Sequence, residues 1–126
     1  MGTVKLGYDA LLDFGGRAGL ASGDNQFPNI IDTGAVPELS AAHAINVHAV
    51  STAAGGNVTF SVQSNTVSTG GTWTTLVTVA ARTPAQMNAG ITKIPTVFNA
   101  AGRYLRVNAN ASAAVTGTLH AWVDCG

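Results

Sequence analysis

The sequence predicts an all-β protein, a two-sheet antiparallel sandwich of the jelly-roll type with an irregular N-terminal arm. Short segments in which apolar and polar residues alternate recur along the chain, and such alternation is typical of half-buried strands. Turn-forming residues separate these segments about every 8–12 residues, a spacing typical of sandwiches. No segment has the length and period of a crossover helix, so a parallel α/β arrangement is excluded.

The clearest strand pattern occupies residues 102–123, in the last quarter of the chain. One face carries apolar residues in alternation, first Leu105, Val107, Ala109 and Ala111, and then Val115, Leu119, Ala121 and Val123. A small-residue bend at 112–114 separates the two runs, and this arrangement predicts an antiparallel hairpin. A hairpin alone is marginal in water, so we expect it to lie inside a larger sheet.

Further strands are predicted before this hairpin, at residues 29–33, 45–51, 57–64, 73–80 and 91–98. The last of them contains Pro95, which cannot donate to a strand ladder, so we expect it at a sheet edge or a bulge. Residues 83–90, with Pro84 near the start and Gly90 at the end, predict one helical turn. The side chains expected in the core are Leu105, Val107, Leu119, Val123, Val58, Phe60 and Val62.

The first part of the chain has no clear period. We predict an N-terminal arm at residues 1–28 and the sandwich domain at residues 29–126. The alternative for part of the arm is a short helix at residues 9–14, packed on the sheet. Apolar side chains in a glycine-rich arm are stabilised only if a partner surface covers them. The predicted contact residues are therefore Leu6, Tyr8, Leu11, Leu12, Phe14 and Phe27.

The composition is unusually poor in charge. Charged residues make up 10% of the chain, against about 25% in an ordinary soluble protein, and the formal net charge is zero. The scattered Lys and Arg residues form no basic patch, which argues against nucleic acid as a partner. No apolar run reaches bilayer-spanning length and no secretory signal is evident, so we expect cytoplasmic synthesis and no membrane association. Such a surface suits a chain covered by copies of itself or by a large partner.

The residues that could carry chemistry do not form a catalytic or metal-binding pattern. The three histidines are His43, His48 and His120. His48 and His120 lie on polar strand faces and could approach each other, but no Cys or acidic residue stands at ligand spacing. Asp9 and Asp13 are interpreted as solvated charges of the arm. The single cysteine has no base near it in sequence and no partner for an internal disulfide. We therefore expect no enzyme, no metal and no cofactor.

The order of the segments resembles that of the small jelly-roll cement (decoration, or head-stabilisation) proteins of tailed bacteriophages. The similar elements are NIIDTG at 29–34, VTFSVQ at 58–63 and GRYLRV at 102–107, and the resemblance covers roughly residues 29–123. It implies a non-enzymatic homotrimer that binds the major capsid protein on the outside of an icosahedral shell and ties capsomers together. The expected location is the outer capsid surface of a virion, after synthesis in the host cytoplasm.

Two other functions stay open. A carbohydrate-binding module, or a receptor-binding head or tail domain of a virion, would use Trp73, Tyr104 or Trp122 to stack a sugar ring. Such aromatic residues more often lie in a core or an interface. Glycan binding by the isolated protein would favour this alternative, whereas co-sedimentation with empty shells would favour the cement function. A virion structural subunit of another kind is the second alternative.

Overall fold

The computed structural model describes residues 13–32, 44–94 and 103–124, and the structural statements below concern these residues. They form ten strands and one short helix. In chain order the elements are β1 (Asp13–Leu20), β2 (Gly23–Gln26), β3 (Ile31–Asp32), β4 (Ala44–Ala49), β5 (Ala54–Gly55), β6 (Val58–Asn65), β7 (Thr74–Thr78), α1 (Pro84–Ala89), β8 (Thr92–Ile94), β9 (Tyr104–Ala111) and β10 (Val115–Asp124).

The strands build two antiparallel sheets. The first sheet has the order β1-β10-β4-β8, and β5 pairs with β10 beyond the end of β4. The second sheet has the order β2-β9-β6-β7, and β3 pairs with β9 beyond the end of β2. The predicted all-β, two-sheet antiparallel sandwich is therefore confirmed, while the jelly-roll connectivity stays a prediction.

The core lies between the two sheets. All the side chains expected there are buried, namely Leu105, Val107, Leu119, Val123, Val58, Phe60 and Val62. The other strands of the first sheet add Phe14 from β1, Ile45 from β4 and Ile94 from β8, each fully buried. Because successive residues of a strand point to opposite faces, the polar residues between these positions form the outer faces of the sandwich.

The predicted hairpin at residues 102–123 is wrong, because β9 and β10 belong to different sheets. β9 pairs with β2, β3 and β6, while β10 pairs with β1, β4 and β5. The link at residues 112–114 therefore carries the chain from one sheet to the other. The alternation of apolar residues shows which side chains face the core, and the apolar residues of both strands do face it. The alternation does not show which strand pairs with which. Each strand does occupy an interior position in its own sheet, as predicted.

The crossing link packs closely against two glycines. A Cβ atom at Gly55 would overlap the carbonyl oxygen of Ala114, and one at Gly56 would lie 2.5 Å from the backbone nitrogen of Ala113. Gly55 also has a φ of +127°, a conformation that side chains with a Cβ rarely adopt. The glycine pair at 55–56 therefore lets the chain cross between the sheets at this point.

The sandwich begins earlier than predicted. β1 pairs with β10 and β2 pairs with β9, so residues 13–26 are part of the two sheets. The domain boundary at residue 28 is therefore wrong, as is the alternative helix where it would include Asp13 and Phe14. Residues 1–12 lie outside the described residues. Glycine has no side chain, so the four glycines between residues 15 and 23 hid the alternation of these strands.

A buried asparagine holds the link between β1 and β2. The Asn25 side chain accepts a hydrogen bond from the Ala21 backbone nitrogen at 3.1 Å and donates to the Ala21 carbonyl at 2.8 Å. Arg17 reaches across from β1 and donates to the Gln26 carbonyl at 3.0 Å. These bonds replace the backbone pairing that is lost where the chain leaves one sheet for the other.

The predicted helical turn is present as α1. Thr83 caps its first turn in a capping box with Gln86, and Met87 is buried against the core. β8, which follows α1, lies at the edge of the first sheet, as the position of Pro95 predicted, although Pro95 itself lies outside the described residues. Among the described residues, no helix has the length and apolar character needed to span a bilayer.

Candidate interaction surfaces

Two of the six predicted contact residues lie in the core. Phe14 and Phe27 have 0% and 2% of their surfaces exposed, so the prediction that they contact a partner is wrong. Phe14 points into the core from β1, and Phe27 follows β2 and donates its backbone N–H to the Val107 carbonyl. The remaining predicted contacts, Leu6, Tyr8, Leu11 and Leu12, lie outside the described residues and stay predictions.

The outer face of the first sheet carries a group of ring side chains. His48 on β4 lies directly opposite His120 on β10, so the predicted approach of the two histidines is confirmed. The Trp122 ring stands edge-on to both, with centroids 6.4 Å from His48 and 5.8 Å from His120. We call this surface the histidine face, and it consists of Asp13, His48, His120, Trp122, Val50 and Ile91.

Asp13 is bound rather than solvated, which corrects the sequence interpretation. Its Oδ1 atom lies 2.7 Å from His120 Nε2 and also accepts a hydrogen bond from the Gly15 backbone nitrogen. Only 11% of the Asp13 side chain is exposed. The sequence assigned Asp13 to an arm, so its place beside a strand 107 residues away could not be foreseen. Among the described residues, no group of three or more His, Cys, Asp or Glu side chains could hold a metal ion.

Two exposed aliphatic side chains border the rings. Val50 is 55% exposed and continues the β4–β10 ladder by donating to the Thr118 carbonyl, which places it on the outward side with His48. Ile91 is 45% exposed and immediately precedes β8, where the β4–β8 register places it opposite His48. The histidine face thus combines aromatic rings with exposed aliphatic surface, the composition of the central part of protein interfaces.

The outer face of the second sheet is polar instead. Asp24 accepts hydrogen bonds from the side-chain amides of Asn108 at 3.1 Å and Asn110 at 2.8 Å. Gln26 donates to the Asn108 oxygen at 2.8 Å, and Arg106 donates to the Gln63 oxygen at 2.7 Å. These residues occupy the outward positions of β2, β9 and β6, and we call their surface the amide face.

The charges on the amide face are held in fixed places. Hydrogen bonds, first from Asn110 and then from Asn108, lower the pKa of Asp24 below its usual value. Partial burial lowers the pKa of Arg106, whose guanidinium carbon lies 4.4 Å from the ring centroid of Trp73. At the end of the same sheet Arg103 forms a two-pronged ion pair with Asp32, at 2.8 and 2.9 Å.

The aromatic residues named for the carbohydrate-binding alternative are divided between the two sheets. Trp122 belongs to the histidine face, whereas Trp73 precedes β7 and Tyr104 starts β9 in the second sheet. The sequence indicates the outward positions of Arg106, Asn108 and Asn110, because these residues alternate with the apolar residues at 105–111. Sequence reasoning missed Asp24 and Gln26, which were assigned to the arm.

A cleft of about 520 Å³ opens at the loop between β6 and β7. Four of its eight lining residues carry a hydroxyl group, and the lining comprises Ser64, Asn65, Thr66, Val67, Gly71, Thr72, Thr74 and Leu76. Asn65 shapes the loop by donating to the Gly70 carbonyl and accepting from the Thr66 backbone nitrogen. None of the described residues of this lining is an acid, a histidine or a cysteine.

A comparison with protein-family models finds no matching family, and a comparison with curated proteins finds no match either. The resemblance to capsid cement proteins therefore depends on the sequence segments quoted above. The function must be argued from the two outer faces of the sandwich.

Proposed function

We propose that this protein is a virion structural protein, a capsid cement protein that binds the outside of an icosahedral shell as a homotrimer. The observation that carries the proposal is the histidine face, where Trp122 and the two histidines lie beside Val50 and Ile91. The segment resemblance over residues 29–123 supports the same function. The proposed role is mechanical and needs no catalytic group.

The histidine face is suited to contact between copies of the chain. Interfaces between proteins are enriched in aromatic residues and depleted in charge at their centres. A closed ring of three subunits lets one such surface be covered on every copy. Fully burying an exposed aliphatic side chain contributes about 1.5–3 kcal/mol. Val50 and Ile91 are 55% and 45% exposed, so an interface gains part of this free energy from each, and the ring repeats the gain in each subunit.

A bound trimer would stabilise a shell by adding contacts between neighbouring capsomers. Each contact must be broken before the capsomers separate, and linked binding events strengthen one another well beyond a single contact. The low charge of the chain fits this role, because few ionic groups have to be desolvated when large parts of its surface are covered.

Charge substitution on the histidine face tests the assembly part of the proposal. Val50→Glu and Ile91→Glu each place a carboxylate in the proposed interface, where burial without a partner is costly. Val67→Glu is the matched control, because Val67 is 44% exposed but lies in the loop between β6 and β7.

Sedimentation equilibrium at micromolar concentration gives the readout. We expect a trimer for the unmodified protein and for Val67→Glu, and monomers for the two histidine-face variants. If all four proteins have the same mass, the histidine face is not the interface between copies.

A further inference from the structure

We propose that the amide face of the second sheet binds a neutral carbohydrate, held between the Asp24 carboxylate and the Arg106–Trp73 pair. The inference goes beyond the cement function and does not depend on it, because the amide face and the histidine face belong to different sheets. The inference assigns a ligand-binding role to the amide face, which is not part of the proposed interface between copies of the chain.

The acceptor end of the site is Asp24. One carboxylate oxygen, Oδ1, is fixed by the Asn108 and Asn110 amides. The other oxygen accepts no hydrogen bond within the described part of the chain, and the side chain is exposed. Because these hydrogen bonds lower the pKa of Asp24, the carboxylate is ionised at neutral pH. Asp24 is therefore an oriented acceptor that is open to a ligand hydroxyl group.

The donor end of the site is Arg106. Its Nε atom donates to Gln63 at 2.7 Å, and its guanidinium group stacks on the Trp73 ring. The terminal guanidinium nitrogens donate no hydrogen bond to any described residue. A planar group that is already held on two sides loses little freedom when it binds a ligand, so its remaining donors can contribute most of their hydrogen-bond energy. The half-buried Trp73 adds apolar surface for the C–H groups of a sugar ring.

The middle of the site is a hydrogen-bonded amide floor. Gln26 donates to Asn108, and Asn108 in turn donates to Asp24, so the chain of bonds links β2 to β9. Asn108 is 5% exposed, and both polar atoms of its side chain have partners. A ligand that covers Asn108 therefore leaves neither polar atom of its side chain without a partner.

The charges and the composition of the face indicate the class of ligand. Asp24 and Arg106 have opposite charges, and each stabilises the charged form of the other. A polyanion would be repelled by Asp24 and a polycation by Arg106, whereas hydroxyl groups can bond to both.

The exposed large hydrophobic side chains of the described chain are Ile30, Val50, Val67 and Ile91, and none is at an outward position of β2, β9 or β6. The face thus lacks the apolar centre that a protein interface needs.

The test uses the full chain and an array of neutral, sialylated and sulfated oligosaccharides. The affinity of the protein for a neutral oligosaccharide that binds on the array is then measured by calorimetry in solution. In solution the oligosaccharide is not clustered on a surface, so binding of several linked copies at once does not distort the measured affinity. The variants are Arg106→Ala, Asp24→Ala and Asn110→Ala. The last of these removes an exposed side chain, so it keeps the test valid if another variant fails to fold. Lys93→Ala is the control, because it removes one cation from the first sheet.

We expect neutral oligosaccharides to bind, and Arg106→Ala and Asp24→Ala each to weaken binding by about 10-fold or more, since each removes a charged hydrogen-bonding group. Asn110→Ala should weaken it less, and Lys93→Ala should leave it unchanged. The proposal is overturned if no neutral oligosaccharide binds, if only anionic ones bind, or if the amide-face variants bind like the control. It is also overturned if these variants dissociate the trimer, because the face would then be an interface. Failure of the cement proposal would instead appear as a monomer with intact glycan binding.

Discussion

At the scale of single residues, Asp24 organises the amide face by accepting hydrogen bonds from two asparagine side chains. These bonds favour the ionised carboxylate, and so the folded protein lowers the pKa of Asp24 below its ordinary value of 3.8. A lowered pKa means that the stabilisation is complete above the unfolded-state pKa and is lost as the pH falls through the folded-state value. Asp24 is exposed, so solvent screening keeps the effect small.

Unfolding by urea at a series of pH values measures this effect. We expect the unfolding free energy of the unmodified protein to exceed that of Asp24→Asn by a constant amount near neutral pH. The difference should shrink as the pH falls below 3.8. A difference that does not change with pH would mean that the carboxylate charge contributes nothing to the network.

At the scale of elements, the crossing link between β9 and β10 depends on Gly55. Gly55→Ala would place a methyl group against the Ala114 carbonyl, in addition to the cost of a positive φ. Gly70→Ala is a matched control, because Gly70 also has a positive φ, of +75°, but open space around it. Overlap with fixed backbone costs about 1–3 kcal/mol. Gly55→Ala should therefore lower the unfolding free energy by that much more than Gly70→Ala, as measured by urea unfolding, and equal losses would contradict the close packing.

The strands themselves could be predicted wherever large side chains alternate. Val58, Phe60 and Val62 made β6 evident, and Thr83 with Pro84 and Gly90 marked α1. The pairing of strands could not be predicted, because a period of two is the same for a hairpin and for two strands in facing sheets. This ambiguity produced the wrong hairpin at residues 102–123.

The candidate faces were predictable only in part. His48 and His120 lie on alternating strands, so their outward positions could be read from the sequence, and their approach was foreseen. Asp13 and Asp24 come from β1 and β2, where glycines interrupt the alternation. Both aspartates bind partners more than 80 residues away, and a single sequence gives no sign of contacts at that distance.

Truncation at the N-terminus tests how far the sandwich extends. Deletion of residues 2–28 removes β1 and β2 together with the buried side chains of Phe14, Leu20 and Phe27. Losing even one such side chain costs about 2–5 kcal/mol, so we expect this variant not to fold. Deletion of residues 2–12 should leave a cooperatively unfolding protein in circular dichroism. A folded protein after the longer deletion would contradict the place of β1 and β2 in the sheets.

At the scale of the whole molecule, the two outer faces of one sandwich have different compositions. The histidine face carries rings and exposed aliphatic groups, whereas the amide face carries a hydrogen-bonded polar network. In the proposed cement function, the histidine face would bind copies of the chain and the shell, and the amide face would face outward from the particle. The two proposed binding surfaces therefore lie on different sheets.

Co-sedimentation with empty capsids of a virus whose genome carries this sequence tests the central claim most directly. The chain has a mass of 12.7 kDa, far too small to pellet alone under conditions that pellet a shell. We expect the unmodified protein and Val67→Glu to pellet with the shells in saturable amounts and in multiples of three copies per site, and Val50→Glu to bind much more weakly. If the unmodified protein stays in the supernatant at micromolar concentration, it is not a cement protein of that shell.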